Sequence, residues 1–231
     1  MKKSLLTLAL LSTISTAAFA NQAGDILIRG GATMVNPDSG KAPLLGALSA
    51  TGGSLSVDDN TQLGLNFVYF FDSNWAIEVL AATPFSHDVT LNDPTAGVGG
   101  ALLVPAGLDG VDLANVKHLP PTISALYYFD TGTEFKPYVG VGINYTIFFD
   151  EQFEAAPKSL GLSNLELDGS FGYALQVGAD YELDDNWSIN ASVRYIDINS
   201  DATFDVGGAS IGEASIDIDP MVYSIMIGYK F

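Results

Sequence analysis

The sequence predicts an all-β protein, an eight-stranded antiparallel up-and-down transmembrane β-barrel with short periplasmic turns and long extracellular loops. Three observations predict it. The chain is apolar on average, with a mean hydropathy of +0.26, yet after residue 20 no run of about 18 consecutive apolar residues offers a spanning helix. Eight segments place apolar or aromatic residues at every second position, the period of a strand with one greasy face. The connections between them alternate between tight and long. In lipid a backbone must satisfy its own polar groups, which leaves the helix or the closed barrel.

The first 20 residues, "MKKSLLTLALLSTISTAAFA", have two lysines, an apolar stretch from Leu5 to Ile14 and a small-x-small site at Ala18, Phe19 and Ala20. This is the pattern of a cleaved signal peptide, with cleavage expected before Asn21. Residues 21–231 are then one barrel domain in the outer membrane of a Gram-negative cell. Loss of Lys2 and Lys3 takes the formal charge from −18 to −20, which argues against a nucleic-acid partner. Acidic pairs such as Asp58 and Asp59, Asp150 and Glu151, and Asp184 and Asp185 fall in loops. They serve solubility, or bridge divalent cations at a lipopolysaccharide surface. No cysteine is present, so thiol catalysis and cysteine metal sites are excluded, although export permits disulfides.

The strands follow in order. "DILIRGGATM" (25–34) carries Ile26, Ile28, Ala32 and Met34 on one face, and "TQLGLNFVYFF" (61–71) carries Leu63, Leu65, Phe67, Tyr69 and Phe71. "NWAIEVLAAT" (74–83) and "HLPPTISALYYF" (118–129) are the third and fourth. "KPYVGVGINYTIFF" (136–149), the fifth, is longer than the roughly 9–11 residues a tilted strand needs to span, so the barrel should project beyond the membrane. "SFGYALQVGADY" (170–181), "NWSINASVRYI" (186–196) and "PMVYSIMIGYKF" (220–231) complete the set.

"DSN", "DTGTE" and "ELDDN" are tight turns, whereas the connections near 35–60, 84–117, 150–169 and 197–214 are long. An even strand number puts both termini on the short-turn side, so the first and last strands can pair and leave no edge. Phe71, Trp75, Tyr127, Phe129, Tyr181, Trp187, Tyr229 and Phe231 all sit beside short turns. They form an aromatic girdle at one membrane interface. A soluble all-β sandwich has no reason to ring one end with outward aromatics.

These strands resemble the OmpW family of small outer-membrane proteins. The matching stretches are "NTQLGLNF" (60–67), "IEVLAATPF" (77–85), "HLPPT" (118–122), "PYVGVGINYTIFFD" (137–150), "GLSNLEL" (161–167), "QVGADY" (176–181) and the ending "GYKF". The resemblance implies an eight-stranded barrel with a hydrophobic internal passage for small apolar molecules. Its partners would be outer-membrane lipid, lipopolysaccharide and such hydrophobic ligands. The terminal phenylalanine is similar to the signal read by the outer-membrane barrel assembly machinery. The loop 86–117, with "PTAGVGGALLVPAGLDG", is longer and richer in glycine than the resemblance leads one to expect.

Parity assigns the inward face. Toward the periplasm it holds Arg29, Glu78, Asp180, Arg194 and Lys230, with Gln176 and Asn190, which read as an interior polar plug because charges in so narrow a barrel must be paired or wet. Toward the long loops it turns apolar, with Leu80, Ala82, Phe148, Ile196, Ile216, Ile218 and Val222, a hydrophobic pathway or simply core packing. Phe171 faces lipid by parity, but a bulge beside the loop would turn it into the mouth as a gate. Pro120 and Pro121 remove two backbone donors, marking either a strand end or a lateral opening.

His87 and His118 flank the long loop, and Asp88 is the nearest further candidate ligand, too few for a metal site. No nucleophile–base or phosphate-loop motif is readable, so neither an enzyme nor a cofactor is expected. The function expected is passive uptake of small hydrophobic molecules with lateral exit into the outer leaflet. The alternatives are a surface interaction or stress protein, a phage or bacteriocin receptor, or a narrow channel for ions and small polar solutes.

Overall fold

A computed structural model describes residues 21–38, 42–43, 54–92 and 110–231. The expected signal peptide and most of the glycine-rich stretch of the 86–117 loop lie outside the described residues. The strands are β1 (Ile26–Asn36), β2 (Ala42–Pro43), β3 (Ser54–Val57), β4 (Asn60–Phe70), β5 (Trp75–Ala82), β6 (Phe85–Asn92), β7 (Val111–Leu119), β8 (Thr122–Tyr128) and β9 (Phe135–Phe153). After the short helix α1 (Ala155–Ser159) come β10 (Leu162–Leu167), β11 (Ser170–Glu182), β12 (Trp187–Ile196), β13 (Asn199–Val206), β14 (Ala209–Asp217) and β15 (Met221–Lys230).

Eight of these close a barrel in the order β1, β4, β5, β8, β9, β11, β12, β15, every neighbour antiparallel. The closure is the pairing of β15 with β1, from Leu27 opposite Lys230 to Asn36 opposite Met221. Every wall strand therefore has a partner on both sides, as lipid demands. The outward face is the greasy one: Leu63, Val141, Phe171 and Ile225 are all exposed.

Two of the short turns use one device. Asp72 accepts the backbone N–H groups of Asn74 and Trp75 at 2.8 and 2.7 Å, and Asp184 accepts those of Asn186 and Trp187 at 2.9 and 2.8 Å. These are Asx turns, in which the carboxylate stands in for a backbone acceptor. The same bonds hold both carboxyls below their ordinary pKa. Asn74 and Asn186 then each donate to a neighbouring strand, at Tyr128 O and Lys230 O, both at 2.9 Å. The tryptophan that follows packs edge-on against the girdle: Trp75 on Tyr127 at 5.0 Å and Trp187 on Tyr229 at 4.9 Å.

The opposite end extends beyond the greasy band. β9 runs for 19 residues, and its far half pairs with β7, which carries β6 and then β3. On these extensions the outward positions are Ser86, Asp88, Asn115, Lys117 and Asp150, and Lys117 meets Asp150 at 2.6 Å. Polar outward side chains place this rim above the lipid. The long connections expected at 84–117 and 197–214 are thus partly strand. They escape a search for a greasy outward stripe because apolar residues described there, such as Phe85, Leu91, Val116 and Ala202, point inward. The expected fourth strand, 118–129, is divided: β7 ends at Leu119 and β8 begins at Thr122, with Pro120 and Pro121 between.

Candidate functional site

The four charges at the centre of the barrel come from four strands. Arg29 on β1 binds Asp180 of β11 through Nε at 3.0 Å and Nη2 at 2.5 Å, and donates through Nη1 to Glu78 of β5 at 2.9 Å. It also donates to the Tyr128 hydroxyl and lies over the Tyr138 ring, 5.3 Å from its centroid. Arg194 on β12 donates to the other Glu78 oxygen at 2.6 Å. Asn66 and Gln176 donate to Glu78 at 2.9 and 3.0 Å, and Asn190 donates to Asp180 at 2.9 Å. Two cations and two anions balance, so the buried charges are compensated and hydrogen-bonded, the condition under which such charges persist. Arg29, Glu78, Asn66, Asn190 and Arg194 are all 2% exposed or less. Inward glycines make the room: a Cβ on Gly178 would come within 2.5 Å of the Tyr138 ring, and one on Gly140 within 2.7 Å of Gln176.

Beneath this plug lies an apolar floor of Leu27, Val68, Phe70 and Leu126. Above it, small polar side chains bond one another, Thr33 with Ser224 at 3.1 Å and Thr146 with Asn144 at 2.7 Å. Higher still the lumen becomes an apolar chamber. Val35, Phe85, Ala174, Ile196, Ile198 and Val222 form its buried wall, with Ala82, Phe148 and Ile218 packed on it.

The chamber leads to a small apolar pocket lined by Leu55, His87, His118, Phe148 and Ile218 among others. The His118 ring stacks on His87 at 5.0 Å and on Phe85 at 5.5 Å, and leans on Phe148 at 5.9 Å. Burial lowers the pKa of both imidazoles, that of His118 to about 3. Both are therefore neutral at physiological pH. Asp88 does not join them; it points outward and accepts from Asn115 at 2.7 Å.

The wall beside the chamber is incomplete. Pairing of β5 with β8 ends at Leu80 opposite Thr122, and pairing of β6 with β7 begins at Phe85 opposite His118. Residues 81–84 and 119–121 face each other between these ladders with no register. Two prolines cause this. The carbonyl of Pro121 accepts the Tyr145 N–H of β9 at 3.2 Å. Carbonyl and N–H of a strand residue point the same way and alternate along the chain, so Pro120 faces the gap. Pro84 interrupts the facing strand between β5 and β6. The Pro120 carbonyl is taken up by the Thr122 hydroxyl at 3.0 Å, which satisfies it without the neighbouring strand.

A closed eight-stranded barrel with this interior has close relatives. A model of the OmpW family matches residues 22–231. The chain belongs to the OmpW family. It is 42% identical to outer membrane protein W of Vibrio cholerae over the full length of both chains. The crystal structure of the outer membrane protein OprG from Pseudomonas aeruginosa superposes with a TM-score of 0.78 at 39% identity, covering 92% of this chain and 98% of that one. A more distant relative, 27% identical over 87% of this chain and 86% of its own, is the dibenzothiophene metabolism operon protein PahQ of Pseudomonas aeruginosa. As an OmpW-family barrel the protein resides in the Gram-negative outer membrane.

Within this OmpW-family barrel, the residues singled out from sequence fall into three groups. Arg29, Glu78, Asp180 and Arg194 converge, as do Ile196, Val222, Phe148 and Ile218. Leu80 is buried one level lower, beside Thr122 at the gap. Lys230 stands apart from the plug: it pairs with Glu182 at 3.2 Å near the periplasmic rim, where Lys136 also approaches at 3.8 Å. Phe171 does not turn inward. No bulge forms, β11 pairs in unbroken register with β9 from Ser170 to Tyr181, and Phe171 remains 70% exposed on the lipid face. Sequence reasoning missed Tyr128, Tyr138 and Pro84. Parity puts both tyrosines on the inward face, which was the available signal, and Pro84 falls at the start of the expected 84–117 connection, where a proline one residue beyond an alternating run and the resumption of alternation in "FSHDVTLN" was the signal.

Proposed function

We propose that the protein takes up small hydrophobic molecules passively and releases them sideways into the outer leaflet. The observation that carries this is the position of the wall gap: it lies on the chamber side of the plug. A guest in the apolar chamber meets a charged, sealed barrier below and an interrupted ladder beside it. Passage straight through would strip or disrupt the Arg29–Glu78–Asp180 network, at a desolvation cost an apolar guest has no means to offset. The same barrier speaks against a narrow channel for ions or polar solutes. PahQ, by its name, belongs to an operon for metabolism of an apolar aromatic compound, which supports the same substrate class.

The role is non-enzymatic. Export uses a cleaved leader over residues 1–20, and residues 21–231 fold as one barrel with the help of the assembly machinery. The polar rim then stands among lipopolysaccharide. The test is entry of a labelled alkane or polycyclic aromatic into cells with and without the protein. Faster entry with the protein is expected. Equal rates would overturn the uptake reading and favour a surface-binding role.

A further inference from the structure

The pocket above the chamber is lined almost wholly by carbon, except for two imidazoles. A neutral imidazole has one N–H donor and one lone-pair acceptor. His87 Nδ1 lies 2.7 Å from the Asp58 carbonyl oxygen. A carbonyl only accepts, so Nδ1 carries the proton and Nε2 is left as a bare lone pair. That Nε2, and Nδ1 of His118, are buried with no hydrogen-bond partner among the described residues. Such orphans are rare because each costs the desolvation of a polar atom.

Packing alone does not require them. A phenylalanine at either position would fill the same stack between Phe85 and Phe148. A metal ion does not explain them either, since among the described residues no third His, Cys, Asp or Glu side chain joins the pair to complete a ligand set. A small group that both donates and accepts would supply the missing partners, and a water or the hydroxyl of a guest is such a group.

We propose that this pocket selects apolar molecules bearing a single hydroxyl group, such as alkylphenols or medium-chain alcohols. The hydroxyl donates to His87 Nε2 and, with His118 in its Nδ1–H tautomer, accepts from Nδ1, while the hydrocarbon body lies against Phe148, Ile218 and Leu55. A hydroxyl is the smallest group that can do both at once. This rests on the uptake reading and narrows its substrate class.

The experiment uses the folded barrel in lipid nanodiscs with ¹⁵N-labelled histidine, titrated with 4-propylphenol and with its methyl ether, 4-propylanisole, each corrected for partition into empty nanodiscs. The phenol should bind about tenfold more tightly, the worth of one good hydrogen bond, and should move the His87 Nε2 resonance. In His87→Phe the ratio should fall to near one. Equal affinities in the unaltered protein, or a preference that survives His87→Phe, would overturn hydroxyl selection and leave the apolar chamber standing. Binding of neither compound would overturn both readings. Should the variant fail to fold, an unmoved His87 resonance at saturating phenol decides against the proposal.

Discussion

Arg29 and Glu78 meet at 2.9 Å inside the barrel, from strands separated only by β4, with side chains 0% and 1% exposed. Glu78 is also the acceptor for Arg194, so one carboxylate bridges both arginines and is the anion that Arg194 pairs with. Glu78→Leu should therefore cost about 3–5 kcal/mol, the usual loss when a buried ion is left unpaired. It should also raise ion conductance in planar bilayers by loosening the plug. Lys230→Met should cost less, because Glu182 keeps Lys136 as a second cation at 3.8 Å. Urea unfolding in detergent micelles measures both, and equal losses would refute the hierarchy.

The three prolines near the gap should differ in effect. Pro84→Val with Pro120→Val would return N–H donors to the two facing strands and allow the ladder to close. Slower release of apolar solutes into the leaflet is expected, by several-fold, with folding intact. Pro121→Val faces β9 and should leave the rate unchanged. An unaltered rate in the double variant would mean that solutes do not leave through this wall.

The histidine stack makes the extracellular rim acid-sensitive. Burial depresses the folded pKa of His118 to about 3, against about 6.5 in an open chain. As the pH falls below about 6.5 the opened state binds a proton that the closed state refuses, so stability is lost progressively toward pH 3 and is unaffected above 6.5. His87 acts in the same direction, moderated by Asp58, Asp59 and Asp88. Amide exchange in β6 and β7, corrected for intrinsic rates, should show weaker protection at pH 4 than at pH 7, while β12 is unchanged. Replacing both histidines with phenylalanine should flatten that response; a rim equally acid-sensitive without them would exclude the mechanism.

Neighbours on β15 face opposite sides of the wall and should lose stability by different routes. Ile225 is 69% exposed to lipid midway along its strand, and Ile225→Arg should cost about 2–4 kcal/mol at the bilayer midplane. Ser224 points inward and bonds Thr33; Ser224→Ala should cost about 1 kcal/mol. Folding into vesicles of defined lipid, followed by gel mobility before and after boiling, reports both.

The period of two was enough to assign the two faces of every wall strand, and with the alternating turns it was enough to close them into a barrel. Side-chain alternation is a local property of the pleat, so a stripe such as Tyr223, Ile225 and Ile227 can be read without knowing its neighbours. The plug was legible as a set of charges on the inner face, for the same reason. Which charge meets which was not. Lys230 has the same parity as Arg29 but lies one level lower, and its partner Glu182 is fixed by the register of β11 against β12 and β15.

Phe171 kept the face its parity assigned, because an unbroken ladder with β9 left no room for a bulge. Pro120 and Pro121 are indistinguishable as a dipeptide, and only the strands on either side divide them, one turned to the gap and the other to β9. Pro84, 36 positions from Pro120 along the chain, becomes its counterpart across that gap through pairing alone. The sequence by itself determined the barrel, its inside and its outside, because these follow from alternation within single strands. The plug's pairings, the gap and the stacked histidines were decided by the tertiary structure, because register and closure bring together residues that no local pattern relates.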